Sequence, residues 1–110
     1  SGLGLSGWVI HRMFCDLWNR GERDAALRVI RAGLLWKRGD YRLHARLALN
    51  VWTLDTPAAR REAIRHATAA VALRPKSVNA YILLGRLEAE ETGDPAAALP
   101  HLNAAVAADP

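Results

Sequence analysis

His11 and Cys15 lie four residues apart, a spacing that puts both on one face of a helix, where they could form half a metal site or a histidine-activated thiol. A metal needs further ligands, and no neighbouring Cys or His completes the set. A packed cysteine beside a solvated histidine is the simpler arrangement. His44, His66 and His101 fall in separate segments at no ligand spacing, as surface or interhelix residues do. Glu88, Glu90 and Glu91 crowd one stretch, the pattern of a solvated face or an interface rim rather than of an acid/base pair. The chain carries no glycine-rich phosphate loop, nucleophile elbow or zinc signature. No nucleophile, base and orienting group can be assembled from these residues, so neither catalysis nor a metal or cofactor is expected. Trp8, Trp18, Trp36 and Trp52 are expected to pack in the core or between helices, with Trp18 and Trp52 the candidates for stacking on a ligand.

The elements that must position these side chains are helices. Alanine, leucine and arginine dominate the 110 residues, and β-branched residues are too few and scattered to write a period-two strand pattern. That length fits one domain, residues 1–110, and excludes a second independent core. No stretch reaches the ~20 apolar residues of a membrane span. The uncharged lead from Ser1 to His11 lacks the basic start and cleavage site of a signal peptide, and the missing initiator Met suggests an excised or processed fragment. A single cysteine excludes an intramolecular disulfide. Cytoplasmic placement is favoured on these grounds, with a periplasmic or membrane-tethered one left open. The net charge of +4 hides an asymmetry: residues 1–76 hold 14 of the 15 basic residues against 6 acids, while 77–110 hold Arg86 against 5 acids.

A repeated grammar runs along the chain. In the last third, Ser77 to Gly85 opens a helix, and Gly93 suits the left-handed residue that ends it. Asp94 can cap the next helix with Pro95 at its first position, and that helix runs to Pro110. In the middle third, Asp40 caps a helix carrying Leu43, Leu47, Val51 and Leu54. Thr56 and Pro57 open a second, on which Ala63, Ile64, Ala67 and Val71 run towards Pro75. The first third offers Ser6 as a cap, a helix from Trp8 to Arg20, a break at Gly21 and a second helix carrying Ala25, Ala26, Leu27, Ile30 and Leu34, closed by Gly39. Six helices in three pairs are predicted. Pro75 and Pro110 are 35 residues apart, close to the period of roughly 34 of helix-turn-helix arrays. Pro100 is expected to bend its helix, since inside a helix it removes a backbone bond.

Leu84, Gly85, the Gly93–Asp94 turn, Ala98, Leu102, Ala105 and Pro110 resemble the consensus positions of tetratricopeptide repeats, with one extra residue in the first helix of that unit. The second unit keeps Ala48, Ala63, Ala67, Ala70 and Pro75 and needs about three extra residues around its turn. The first keeps Gly21, Ala26 and Ile30 but has Phe14 where a small residue is usual and Arg38 where proline is usual. The resemblance implies a right-handed α-α superhelix, a solenoid of three helix-turn-helix repeats over about 7–38, 39–75 and 76–110. In that family the first helices of successive pairs line a concave groove that accepts an extended peptide or a partner helix. Carried onto this chain, the groove-facing residues are His11, Arg12, Arg42, Arg46, Asn79 and Arg86. Such a groove is positive, and arginine forks hold carboxylates in pairs, so the expected ligand is an acidic peptide segment or a C-terminal carboxylate. The family members that clamp chaperone tails use a set that His11, Cys15, Arg46, Asn79 and Leu83 do not reproduce.

The expected function is a protein-binding scaffold within a larger assembly or envelope protein of bacterial character. The alternative is single-stranded RNA binding by the basic first two units, against which stand the acidic last unit and the lack of a recurrent base-reading pair. A third expectation is self-association through the last helix pair, which ends without a polar capping helix. If that face drives it, a charged residue at Leu102 or Val106 yields monomers of unchanged helicity in light scattering; an unchanged oligomer would refute the idea.

Overall fold

The computed structural model describes residues 6–108, so Pro110, the expected close of the third unit, and the lead residues 1–5 lie outside it. Six α-helices follow one another: α1 (Gly7–Asn19), α2 (Arg23–Trp36), α3 (Tyr41–Val51), α4 (Pro57–Leu73), α5 (Val78–Thr92) and α6 (Leu99–Ala108). No strand is present among the described residues, and the body measures 41 × 29 × 19 Å. Each of α1, α3 and α5 packs on the helix that follows it, and the pairs are joined by contacts of α2 and α1 with α3 and of α4 with α5.

Helix starts follow from side chains that satisfy free amides. Ser6, Asp40, Thr56 and Ser77 accept from the backbone N–H groups of Val9, Leu43, Ala59 and Ala80, at 3.1–3.3 Å. The α1–α2 turn is made by glycine: Gly21 takes φ +82°, its N–H donates to the Trp18 carbonyl, and the Glu22 N–H donates to the Leu17 carbonyl. Those two bonds complete the glycine-terminated motif in which a left-handed residue satisfies the last carbonyls of a helix.

Two expectations change in detail. α3 stops at Val51, and Trp52–Leu54 form a single tight 3-10 turn ended by Asp55 in the left-handed region, φ 54°. Leu54 therefore lies on this turn and not on the helix. Pro100 does not stand in a helix interior. A 3-10 turn, Pro95–Ala98, precedes α6, which places Pro100 second in α6, where no intrahelical bond from its nitrogen is required.

The core runs through all of the first five helices: Phe14, Ile30, Leu43, Leu47, Val51 and Leu87 are fully enclosed. Small residues set the spacing. Ala59, Ala63, Ala67 and Ala70 form the buried stripe of α4, so larger side chains of α3 and α5 can approach its backbone. Gly33 of α2 does the same for α1. A Cβ built there would sit 2.6 Å from the Ile10 Cγ2, whereas one at Gly85 would meet the His101 Cβ at 3.2 Å.

Two tryptophans expected inside are outside: Trp8 is 58% and Trp36 69% exposed. Trp18 and Trp52, the candidates for ligand stacking, are instead half-buried against the core. Phe14 is fully enclosed, with Trp18 tilted against it at 5.5 Å.

Gly33→Ala is expected to destabilise the fold by ~1–2 kcal/mol in urea titration, because the overpacking against Ile10 outweighs the helix-propensity gain of about 1 kcal/mol. Gly85→Ala should stay near neutral. Equal stability of both variants would mean that α1 and α2 are not held at this close approach.

Candidate functional site

The groove-facing residues were expected from α1, α3 and α5, and the structure brings part of that set together. The Arg46 Nε–H donates to the His11 Nε2 at 3.2 Å, tying α3 to α1. The Arg42 guanidinium lies 5.5 Å from the centre of the Trp8 ring, and that indole stacks at 7° and 6.3 Å on the His11 ring. Trp8, His11, Arg42 and Arg46 thus form one cross-braced cationic and aromatic strip on neighbouring helices. A cation over an indole contributes about 0.5–1 kcal/mol when exposed, enough to orient Arg42 without neutralising it. Asp40, which caps α3, lies against Gly7 at the start of α1 and is the acidic side chain whose field reaches His11.

Arg12 is exposed on α1, next to His11. Asn79 is exposed near the start of α5. Arg86 pairs with Glu90 of its own helix at 3.5 Å, so part of its charge is met locally. No hydrogen bond or ion pair among the described residues joins Asn79 or Arg86 to the strip. Trp8 was missed as a site residue because its exposure depends on where α3 lies, and no spacing in the sequence encodes that.

The protonation of His11 answers the question raised by Cys15. Burial, then the charges of Arg46 and Arg42, hold the His11 pKa below its ordinary value, with Asp40 opposing them. The imidazole is therefore neutral near pH 7, and its Nε2 accepts from Arg46. The ring proton must then reside on Nδ1, which faces the Cys15 Sγ at 3.9 Å. A nitrogen that already bears a proton cannot take one from the thiol. His11 so placed does not activate Cys15 as a nucleophile.

A second cluster, not anticipated, joins α3 to α4. His44 is buried; its Nε2 lies 2.6 Å from the Arg38 carbonyl oxygen and its Nδ1 2.9 Å from the Nδ1 of His66. A carbonyl only accepts, so the His44 Nε2 carries the proton and donates it. The His44 Nδ1 is then an acceptor, the His66 Nδ1–H donates to it, and the His66 Nε2 is left with a bare lone pair. Burial, with His44 and Arg65 adding to it, pushes the His66 pKa down to about 4. Beside it Arg31 closes two bonds on Glu62, at 2.9 and 2.7 Å, and these hold the Glu62 pKa below its usual value. Among the described residues no three His, Cys, Asp or Glu side chains gather to hold a metal ion.

The acidic cluster is also spoken for. Glu88 lies 2.7 Å from the His101 Nε2 and Glu91 3.0 Å from Arg60, which also holds Asp55 at 2.8 Å. These contacts fasten α5 to α6 and to α4; of the carboxylates read from the sequence as a solvated face or an interface rim, Glu88 and Glu91 link helices, while Glu90 and Glu91 remain exposed.

Stability should fall as the pH drops from 6.5 towards 4. Above 6.5 His66 is neutral folded and unfolded; below it the unfolded chain takes up a proton that the fold refuses until about 4, a loss of roughly 1–3 kcal/mol once solvent screening of the half-buried ring is allowed for. His11, lowered in the same direction, adds to this. Glu62, whose stabilisation exists above its ordinary carboxylate pKa, is lost only as the pH falls further. Urea midpoints measured across this range check the slope, which His66→Gln should flatten; a wild-type midpoint independent of pH would rule out a neutral buried His66.

A scan of protein-family models gives no match to this chain, and neither does a comparison with the curated proteins.

Proposed function

We propose that the chain is a protein-interaction scaffold of the tetratricopeptide kind, a three-unit helical solenoid whose groove along α1, α3 and α5 holds an acidic peptide segment or partner helix. The observation that supports it most is the strip of Arg42 and Arg46 braced on Trp8 and His11. Arg42 is held over a ring and Arg46 by a neutral imidazole; neither is neutralised by a carboxylate among the described ion pairs. Pre-oriented guanidinium groups bind carboxylates with less loss of side-chain entropy than free ones. Arg12 beside the strip, and Asn79 and Arg86 further along on α5, would extend the contact to a longer peptide.

The asymmetry of charge fits the same function. With the basic residues concentrated in the first two units and the acids in the third, an acidic ligand is drawn towards α1 and α3 and away from the α5 end.

The test is fluorescence anisotropy of a labelled peptide of alternating glutamate and leucine, with labelled oligouridine as the comparison. Arg42→Glu combined with Arg46→Glu, of helicity matched by circular dichroism, should weaken peptide binding by at least about tenfold, the effect of losing one charge-assisted pair. Undiminished peptide binding would move the interface off this strip. Binding of oligouridine alone, released by salt, would favour RNA in place of the peptide.

A further inference from the structure

α3 has a second working side. At about 100° per residue, Arg42 and Arg46 lie within roughly 40° of one another, while His44 and Leu47 point about 140–200° away from Arg42. On that opposite side a pocket of about 330 Å³ opens between α2, α3 and α4. This is near the lower bound of roughly 300 Å³ for small-molecule sites.

Its chemistry divides into floor and rim. Leu34 and Leu47, 7% and 0% exposed, close its floor, and Leu35, 70% exposed, leaves a large uncovered aliphatic surface at the pocket's edge. Four charged side chains surround it. Arg31 and Glu62 cancel one another through their two bonds. Arg38 and Arg65 are exposed and have no carboxylate partner among the described ion pairs. The last polar group is His66, whose Nδ1 is committed to His44, so the ring offers only the lone pair of Nε2.

These groups select a ligand. Two unspent guanidinium groups favour an anion and repel a cation. The bare Nε2 is an acceptor and would repel the oxygens of a carboxylate, so the charged end belongs with Arg38 and Arg65 and not beside His66. Leu35 then takes whatever apolar part the anion carries, since covering it removes aliphatic surface from water.

We propose that this pocket binds a small amphiphilic carboxylate, its head on Arg38 and Arg65 and its aliphatic tail over Leu35. The site shares no residue with the Arg42–Arg46 strip, and its occupation does not depend on what that strip binds.

The probe is sodium octanoate, added to the full chain while the methyl signals of Leu35 and the ring signals of His66 are followed by NMR. For ten heavy atoms in a shallow site the expected dissociation constant is on the order of 1 mM. Octyltrimethylammonium, with the same tail and the opposite charge, should leave these signals in place. Arg38→Gln combined with Arg65→Gln should weaken octanoate at least about tenfold, and Arg42→Gln combined with Arg46→Gln should not change it. Should the first pair of changes reduce helicity, Leu35→Gln, at an exposed position, replaces it and should weaken the octanoate response through the tail. Absence of any octanoate shift, equal shifts from the cation, or indifference to both Arg38/Arg65 and Leu35 would each overturn the proposal.

Discussion

The close approach of helix backbones over alanine and glycine is the constraint on which everything else rests. None of the six helices exceeds 17 residues, and helices of this length are marginal alone in water. They persist because one helix's small residues admit the next helix's large ones. The alanine stripe of α4 receives side chains of α3 and α5, and Gly33 of α2 receives Ile10 of α1. Most helix contacts are made between elements adjacent in the chain, so the closure entropy to be overcome is small.

This packing also divides α3 into two chemically different sides. One edge lies beside α1 and carries Arg42 and Arg46; the other faces α2 and α4 and carries His44 and Leu47. The same backbone interval therefore presents a cationic aromatic strip and an apolar pocket with a basic rim. Polar groups that the packing would otherwise strand are satisfied by direction: the Arg38 carbonyl is met by His44, and His44 by His66. Asn50 is the exception. Its side-chain oxygen is enclosed without a partner, and the structure offers no physical reason for it.

Histidine does different work at the two places, although both rings are held neutral. His11 accepts from an arginine and so fixes it without cancelling its charge. His66, which lines the pocket, donates to His44 and keeps its other nitrogen as an acceptor. In each case the neighbouring guanidinium groups and the loss of water disfavour a second proton, so positive charge is carried by arginine alone.

Six helices and most of their ends were legible in the amino-acid order alone. Ser6, Asp40 and Thr56 as caps, Gly21 as a break, Gly93 as a left-handed stop, and Ala63, Ala67 and Ala70 of α4 were legible, because capping and periodicity act over three or four residues. Only the tertiary structure decided the sites. That Trp8 rather than Trp52 stands exposed beside Arg42, that His44 meets His66 across 22 residues, and that Arg46 reaches His11 across 35 depend on how helices rotate and settle against one another. Such rotation is set by the summed packing of many side chains, and no local spacing carries it.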